Sequence, residues 1–244
     1  MKASWPQVPL QTVTECVAMG AVIFDLDGTL ADTSQDLLNA ANTAFENLGY
    51  APPLTRESDH KVAFHGGRKM LSVGIERITG AVDEDFVNAN YKTLLDAYEN
   101  ALSVHTVFFD GVDATLDRMA AAGHRFGICT NKPFFLAEKL IDELGAAHRF
   151  DALLGADSID VRKPDPRHYT ATLKAMKYDG PSVLIGDTVT DLKTAEAAGV
   201  PCILVDFGAR EEGTFDYSPY AVITSYDELP DIVDRSFKDM GVAA

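Results

Sequence analysis

Ala18-Met19-Gly20-Ala21-Val22-Ile23-Phe24 is a short apolar run that stops abruptly at Asp25-Leu26-Asp27-Gly28-Thr29-Leu30. Its Val and Ile content, and the polar turn that follows at once, read as a buried strand that ends in two carboxylates. What comes next decides the fold. From Thr33 the apolar period changes: Leu37, Leu38, Ala41, Phe45 and Leu48 recur at helical spacing, with Ser34 as N-cap and Gly49 as stop. Pro52-Pro53 breaks the chain. Two further helical segments are expected, at about 68–78 and 83–102. No strand reads between Thr33 and Val104, so a helical module follows the first strand directly.

Beyond Asp110-Gly111 strands and helices alternate. Helices are expected at about 112–122, 134–144, 166–176, 191–198 and 226–240. The apolar runs are Arg125–Cys129, Phe150–Leu154, Val183–Ile185, Cys202–Val205 and Ala221–Ile223. Strict alternation implies a parallel sheet with helices on both faces and right-handed crossovers. The fold class is therefore α/β: a Rossmann-like three-layer core with an inserted all-helical cap. The expected organisation is an irregular leader (1–17), a core (18–32 and 106–244) and a helical cap (33–105).

Composition narrows the function. The 244 residues include 46% hydrophobic and 24% charged types, as in ordinary globular proteins. With 37 acidic and 21 basic residues the formal charge is −16. Such a surface repels nucleic-acid backbones and anionic lipids, so neither partner is expected. Cys16, Cys129 and Cys202 lack metal-ligand spacing and are odd in number, which implies reduced thiols. The first twenty residues lack a secretory apolar region. A cytoplasmic location and a monomer or homodimer are expected.

In doubly wound sheets ligands sit beyond the carboxyl ends of the strands. Four polar groups fall there or between strands: Asp25-Leu26-Asp27-Gly28, Thr130-Asn131-Lys132, Arg162-Lys163-Pro164-Asp165, and Gly186-Asp187-Thr188 with Asp191. Acidic side chains converging on one edge repel one another, and a hard divalent cation with oxygen ligands relieves this; magnesium suits and leaves room for a phosphate oxygen. One carboxylate can attack phosphorus and a second can move the proton. Thr130 and Lys163 offer a donor and a cation for phosphoryl oxygens. Each group alone has a plainer reading, as a turn, a helix cap or a solvated loop. Together the plainer reading needs four coincidences at one sheet edge.

These residues resemble the haloacid dehalogenase superfamily. VIFDLDGTLADT (Val22–Thr33), FGICTNKP (Phe126–Pro133), RKPDP (Arg162–Pro166) and IGDTVTD (Ile185–Asp191) are similar to its four motifs in order and spacing. The resemblance implies that Asp25 is the nucleophile and Asp27 the general acid/base, whose backbone carbonyl also ligates the metal. It implies that Thr130 and Lys163 hold the phosphoryl group and that Asp187 and Asp191 complete the Mg2+ site with Asp25. Backbone near Gly28 and Asn131 assists. An acid at Asp27 points to phosphate monoesters, since an alcohol leaving group needs a proton and a halide does not.

Within the superfamily the chain looks most like phosphoglycolate phosphatases. The implied reaction is hydrolysis of a small phosphorylated metabolite, first 2-phosphoglycolate, through an aspartyl-phosphate. A sugar-phosphate phosphatase, a phosphomutase or a non-catalytic phospho-binding protein are the alternatives. The insert should close over the strand ends, with hinges near Asp32–Ser34 and Val104–Phe109. His65, Gly66 and Arg68 are its expected substrate contacts: glycine permits close approach, the following helix start offers N–H donors, and Arg68 suits a carboxylate.

Overall fold

The computed structural model describes residues 20–207 and 218–241; the expected leader and Cys16 lie outside the described residues. β1 (Ala21–Phe24) is wholly buried, as a strand flanked by two others must be. Through β2 (Ala31–Asp32) the chain enters four helices: α1 (Ser34–Glu46), α2 (Arg56–Phe64), α3 (Gly67–Thr79) and α4 (Glu84–Asn100). It returns through β3 (Val107–Phe108). Then follow α5 (Val112–Ala121), β4 (Arg125–Cys129), α6 (Phe134–Glu143), β5 (Ala152–Leu154) and α7 (Pro166–Ala175). The chain continues as β6 (Ser182–Gly186), α8 (Val189–Ala198), β7 (Cys202–Val205), β8 (Ala221–Ile223) and α9 (Leu229–Asp239). Among the described residues one sheet has the order β5-β4-β1-β6-β7-β8, every pair parallel.

The strands are apolar on both faces because both are covered. Val22, Phe24, Ile128 and Ile185 pack with Leu116 of α5, Leu140 of α6 and Phe237 of α9. Ala21, Ile23 and Leu184 pack on the opposite side with Tyr169 of α7 and Leu192 of α8. Each fully buried Val, Leu, Ile or Phe contributes about 1.5–3 kcal/mol, so the continuous apolar runs specify this three-layer core. Cys129 and Cys202 are buried free thiols. No helix among the described residues is long and apolar enough to cross a membrane.

The inserted helices extend the first of these clusters, through Leu38, Phe45, Met70, Leu71, Ile75 and Leu94. Phe45 stacks on Phe86 with ring centroids 5.5 Å apart. α3 crosses α1 so closely that a Cβ on Gly74 would lie 2.4 Å from the Phe45 ring.

Three helices, not two, follow α1. The periodic reading passes over α2 because its sequence is polar nearly all round and buries only Asp59 and Ala63. It is held instead by its start, where Thr55 accepts from the Ser58 N–H and Asp59 accepts from the Thr55 N–H. Asp59 also takes both terminal nitrogens of Arg77 from α3, at 2.6 and 2.7 Å. A second correction concerns Ser34. It is the first residue of α1 rather than its cap, and both its N–H and its hydroxyl donate to Asp32.

The two connections to the inserted helices run side by side. β2 and β3 pair antiparallel, with Asp32 opposite Val107. Asp36, in the first turn of α1, accepts from the His105 and Thr106 N–H groups and from the Thr106 hydroxyl, all at 2.8–2.9 Å. The carboxylate is almost fully buried, so its removal strands the buried N–H and hydroxyl of Thr106 away from water. Asp36→Ala should therefore lower stability by about 2–4 kcal/mol. In a chain of this size that is a fall in melting temperature of roughly 5–10 °C, read by calorimetry; an unchanged melt would show that this junction does not hold the inserted helices.

Candidate active site

The site follows from strand register. Phe24 is level with Ile128 on one side and with Ile185 on the other. The chain therefore leaves three adjacent parallel strands at one edge, and Asp25, Thr130 and Asp187 emerge together. Gly28 has φ +79°, and a Cβ there would lie 2.4 Å from Asp187 Oδ2. Only glycine lets the turn after β1 pass so near that carboxylate. Gly186 plays the same part beneath, since its Cβ would fall 2.3 Å from Asp191 Cγ.

Asp25, Asp187 and Asp191 form a cluster whose carboxylate oxygens lie within 4.8 Å of one another. Lys163 is buried among them, its Nζ 2.9 Å from Asp25 Oδ2 and 2.6 Å from Asp191 Oδ1. The other oxygen of Asp191 accepts from the Thr188 N–H and hydroxyl, which closes the first turn of α8. The Leu26 N–H donates to Asp25 Oδ1 at 2.7 Å. Thr29 donates to Asp187 at 2.9 Å, and its own carbonyl accepts from buried Tyr226.

Electrostatics show a surplus of negative charge. Burial pushes the Asp25 carboxyl up to about 6, although Lys163 works against the rise. Asp187 is raised well above the ordinary carboxylate range by burial and by Asp191 and Asp25. Burial opposes the charge on Lys163, yet Asp191 and Asp25 hold it protonated above its ordinary range. One ammonium cannot neutralise three carboxylates in a low-dielectric pocket. An all-oxygen, hard, anionic donor set of this kind fits a divalent cation such as magnesium.

The expected residues distribute over two neighbouring cavities. A cavity of about 420 Å3 is lined by Asp25, Asp27, Thr130, Asn131 and Lys163 from the sheet edge, and by His65, Gly66 and Arg68 from the inserted helices. Asp187 and Gly28 line an adjoining cavity of about 350 Å3. Asp191 is fully buried. The Asp27 carboxylate is not part of the three-acid cluster. The Asn131 side chain donates to the Lys163 carbonyl, tying the two strand-end loops together. Gly66 adopts φ +87° between α2 and α3. His65 and Gly66 thus form a tight turn between α2 and α3, with α3 beginning at Gly67 rather than at about Arg68. The Arg68 guanidinium donates to Asn88 and sits 4.8 Å from the Tyr91 ring centroid, which orients it.

One strand-end residue is given no role by the sequence. Lys132 is buried, its Nζ 2.9 and 3.2 Å from the two oxygens of Asp27 and 2.8 Å from the Tyr98 hydroxyl. The only signal was a lysine directly after two strand-end polar residues in an acidic chain.

Known proteins match this chain over most of its length. The family described as haloacid dehalogenase-like hydrolase matches residues 22–205. A phosphoglycolate phosphatase of Mesorhizobium japonicum is 34% identical, across 90% of this chain and 97% of its own. A phosphoglycolate phosphatase of Caulobacter vibrioides is 36% identical, across 86% of this chain and 90% of its own. In fold, the chain is similar to the crystal structure of a predicted phosphoglycolate phosphatase from Haemophilus somnus. The TM-score is 0.77 at 20% identity, covering 88% of this chain and 98% of that one.

Proposed function

This chain belongs to the haloacid dehalogenase-like hydrolase family, and from that premise we propose that it is a magnesium-dependent phosphatase of 2-phosphoglycolate that works through an aspartyl-phosphate. The observation that carries the chemistry is the meeting of Asp25, Asp187 and Asp191 around the single cation Lys163, beside a cavity that Asp27 and Thr130 also line. The phosphoglycolate phosphatases that align with nearly the whole chain support the substrate.

Asp25 attacks phosphorus as the bond to the leaving oxygen breaks, and Asp27 gives that oxygen its proton. In the second half Asp27 takes a proton from water; the hydroxide oxygen bonds to phosphorus, the bond to Asp25 breaks and the carboxylate is restored. Lys163 and Thr130 hold the phosphoryl oxygens and Lys163 orients Asp25. Magnesium would be held by Asp25, Asp187 and Asp191 with the main-chain carbonyl of Asp27, and it supplies positive charge against the phosphoryl oxygens. Residues 33–105 form the cap, which excludes water from the cavity. Arg68, fixed by Asn88 and Tyr91, takes the substrate carboxylate at the far end, with His65 and Gly66 shaping the approach.

The test is phosphate release from a panel of monoesters with magnesium and with EDTA. Expected is a kcat/KM for 2-phosphoglycolate at least about tenfold above hexose phosphates and nucleoside monophosphates, the discrimination expected when the Arg68 guanidinium is left without a carboxylate partner. EDTA should abolish every rate. A hexose phosphate as best substrate would replace the substrate assignment; release unaffected by EDTA would overturn the role of the metal.

A further inference from the structure

Lys132 stands one residue beyond the expected phosphate contacts, and its surroundings give it a different task. An ammonium carries three protons. The three oxygens around Nζ are Asp27 Oδ1, Asp27 Oδ2 and the Tyr98 hydroxyl, at 2.9, 3.2 and 2.8 Å. One N–H spans both oxygens of Asp27 and another reaches Tyr98, so Lys132 is tied to the acid and to an inserted helix, whereas Lys163 is tied to Asp25 and Asp191. The three residues derive from separate parts of the fold. Asp27 belongs to the turn after β1, Lys132 to the turn after β4, and Tyr98 to the last turns of α4 in the inserted helices. Tyr98 is 1% exposed, and Nζ also lies 4.3 Å from its ring centroid. All three line the 420 Å3 cavity. A rigid, desolvated lysine gripping both oxygens of a carboxylate fixes where that carboxylate points.

We propose that Lys132 is a positioning residue that aims the Asp27 carboxylate at the leaving oxygen, and that Tyr98 makes this aim depend on the docking of the inserted helices on the core. The inference rests on the hydrolase reading above. With α4 in place, the Tyr98 hydroxyl holds Nζ over the cavity wall and Asp27 is held with it. With α4 displaced, Lys132 loses one of its two partners and Asp27 loses a fixed orientation. The device would confine proton transfer to the closed, water-excluding state.

The orientation of an acid matters in proportion to the proton that the leaving group needs. The readout is therefore kcat/KM of the full-length, magnesium-loaded protein on two probes, 2-phosphoglycolate and p-nitrophenyl phosphate. The first releases a basic alkoxide and the second a stable phenolate. Lys132→Met should lower kcat/KM on the alkyl ester by roughly 10²–10³-fold, the share an aligned general acid contributes, and on the aryl ester by less than about tenfold. Tyr98→Phe, which removes one hydroxyl from a buried ring, should show the same split at roughly tenfold on the alkyl ester. It decides the matter should Lys132→Met not fold. Inorganic phosphate should inhibit the Tyr98→Phe protein as it does the wild type, since no phosphate contact is lost. Equal falls on both esters, or weaker inhibition by phosphate, would assign Lys132 to phosphate binding or to folding and overturn the inference alone. A wild-type protein that hydrolyses neither ester overturns the hydrolase reading and this inference with it.

Discussion

Asp25→Asn should abolish turnover, by roughly 10⁴-fold or more, because an amide cannot form the phosphoryl bond on which both half-reactions depend. The same substitution should make the metal-free protein more stable at neutral pH. The buried Asp25 carboxyl is pushed from 3.8 up to about 6, so the folded state prefers its protonated form. That preference is fully in force at pH 4 or below; as pH rises the unfolded chain ionises first, and by pH 7 the folded state carries a penalty of roughly 3 kcal/mol. Asparagine has no such penalty. Thermal melts in EDTA should therefore coincide for the two proteins near pH 4 and diverge in favour of Asp25→Asn toward pH 7. Adding magnesium should raise the melting temperature of the wild type more than that of the variant. Retained turnover would remove Asp25 from the nucleophile's role, whatever the melts show.

Lys163→Met should have the second largest effect, and in the opposite direction for stability. Lys163 is buried and bonded to Asp25 and Asp191. Removing a buried partner leaves its carboxylates uncompensated, which costs about 3–5 kcal/mol. The loss should be greatest in EDTA at neutral pH. It should shrink as pH falls, because Asp25 and Asp187, both held above the ordinary carboxylate range, then take up protons instead of bearing charge. Magnesium should restore part of it by supplying positive charge to the same oxygens. Turnover should fall by roughly 10³-fold even in magnesium, since the phosphoryl oxygens lose a fixed cation in a site of low dielectric. Calorimetry across pH, with and without the metal, separates the two contributions. A variant as stable in EDTA as the wild type would mean that Lys163 does not offset buried negative charge in the metal-free protein.

The alternation of strands and helices, the helical insert and the four strand-end groups were legible in the sequence. Burial on both faces leaves a continuous apolar run, amphipathic helices leave a 3.6-residue stripe, and Asp25, Thr130, Lys163 and Asp187 are types whose clustering has few other uses. α2 was not legible. Its stability comes from end capping by Thr55 and from the Asp59–Arg77 pair, and neither leaves an apolar period.

The sequence by itself determined which polar residue types stand at the strand ends and on which kind of scaffold, because residue type and local period are written along the chain. Only the tertiary structure decided how those residues meet. Thr29 reaches Asp187 across 158 positions, Lys132 reaches Asp27 across 105, and Asp36 secures the return of the insert across 70. Such contacts depend on strand order and register, which parallel crossovers set in space. In sequence, Lys132 is identical to a solvated surface lysine. Its burial between Tyr98 and Asp27 strips it of water and ties its ammonium group to both.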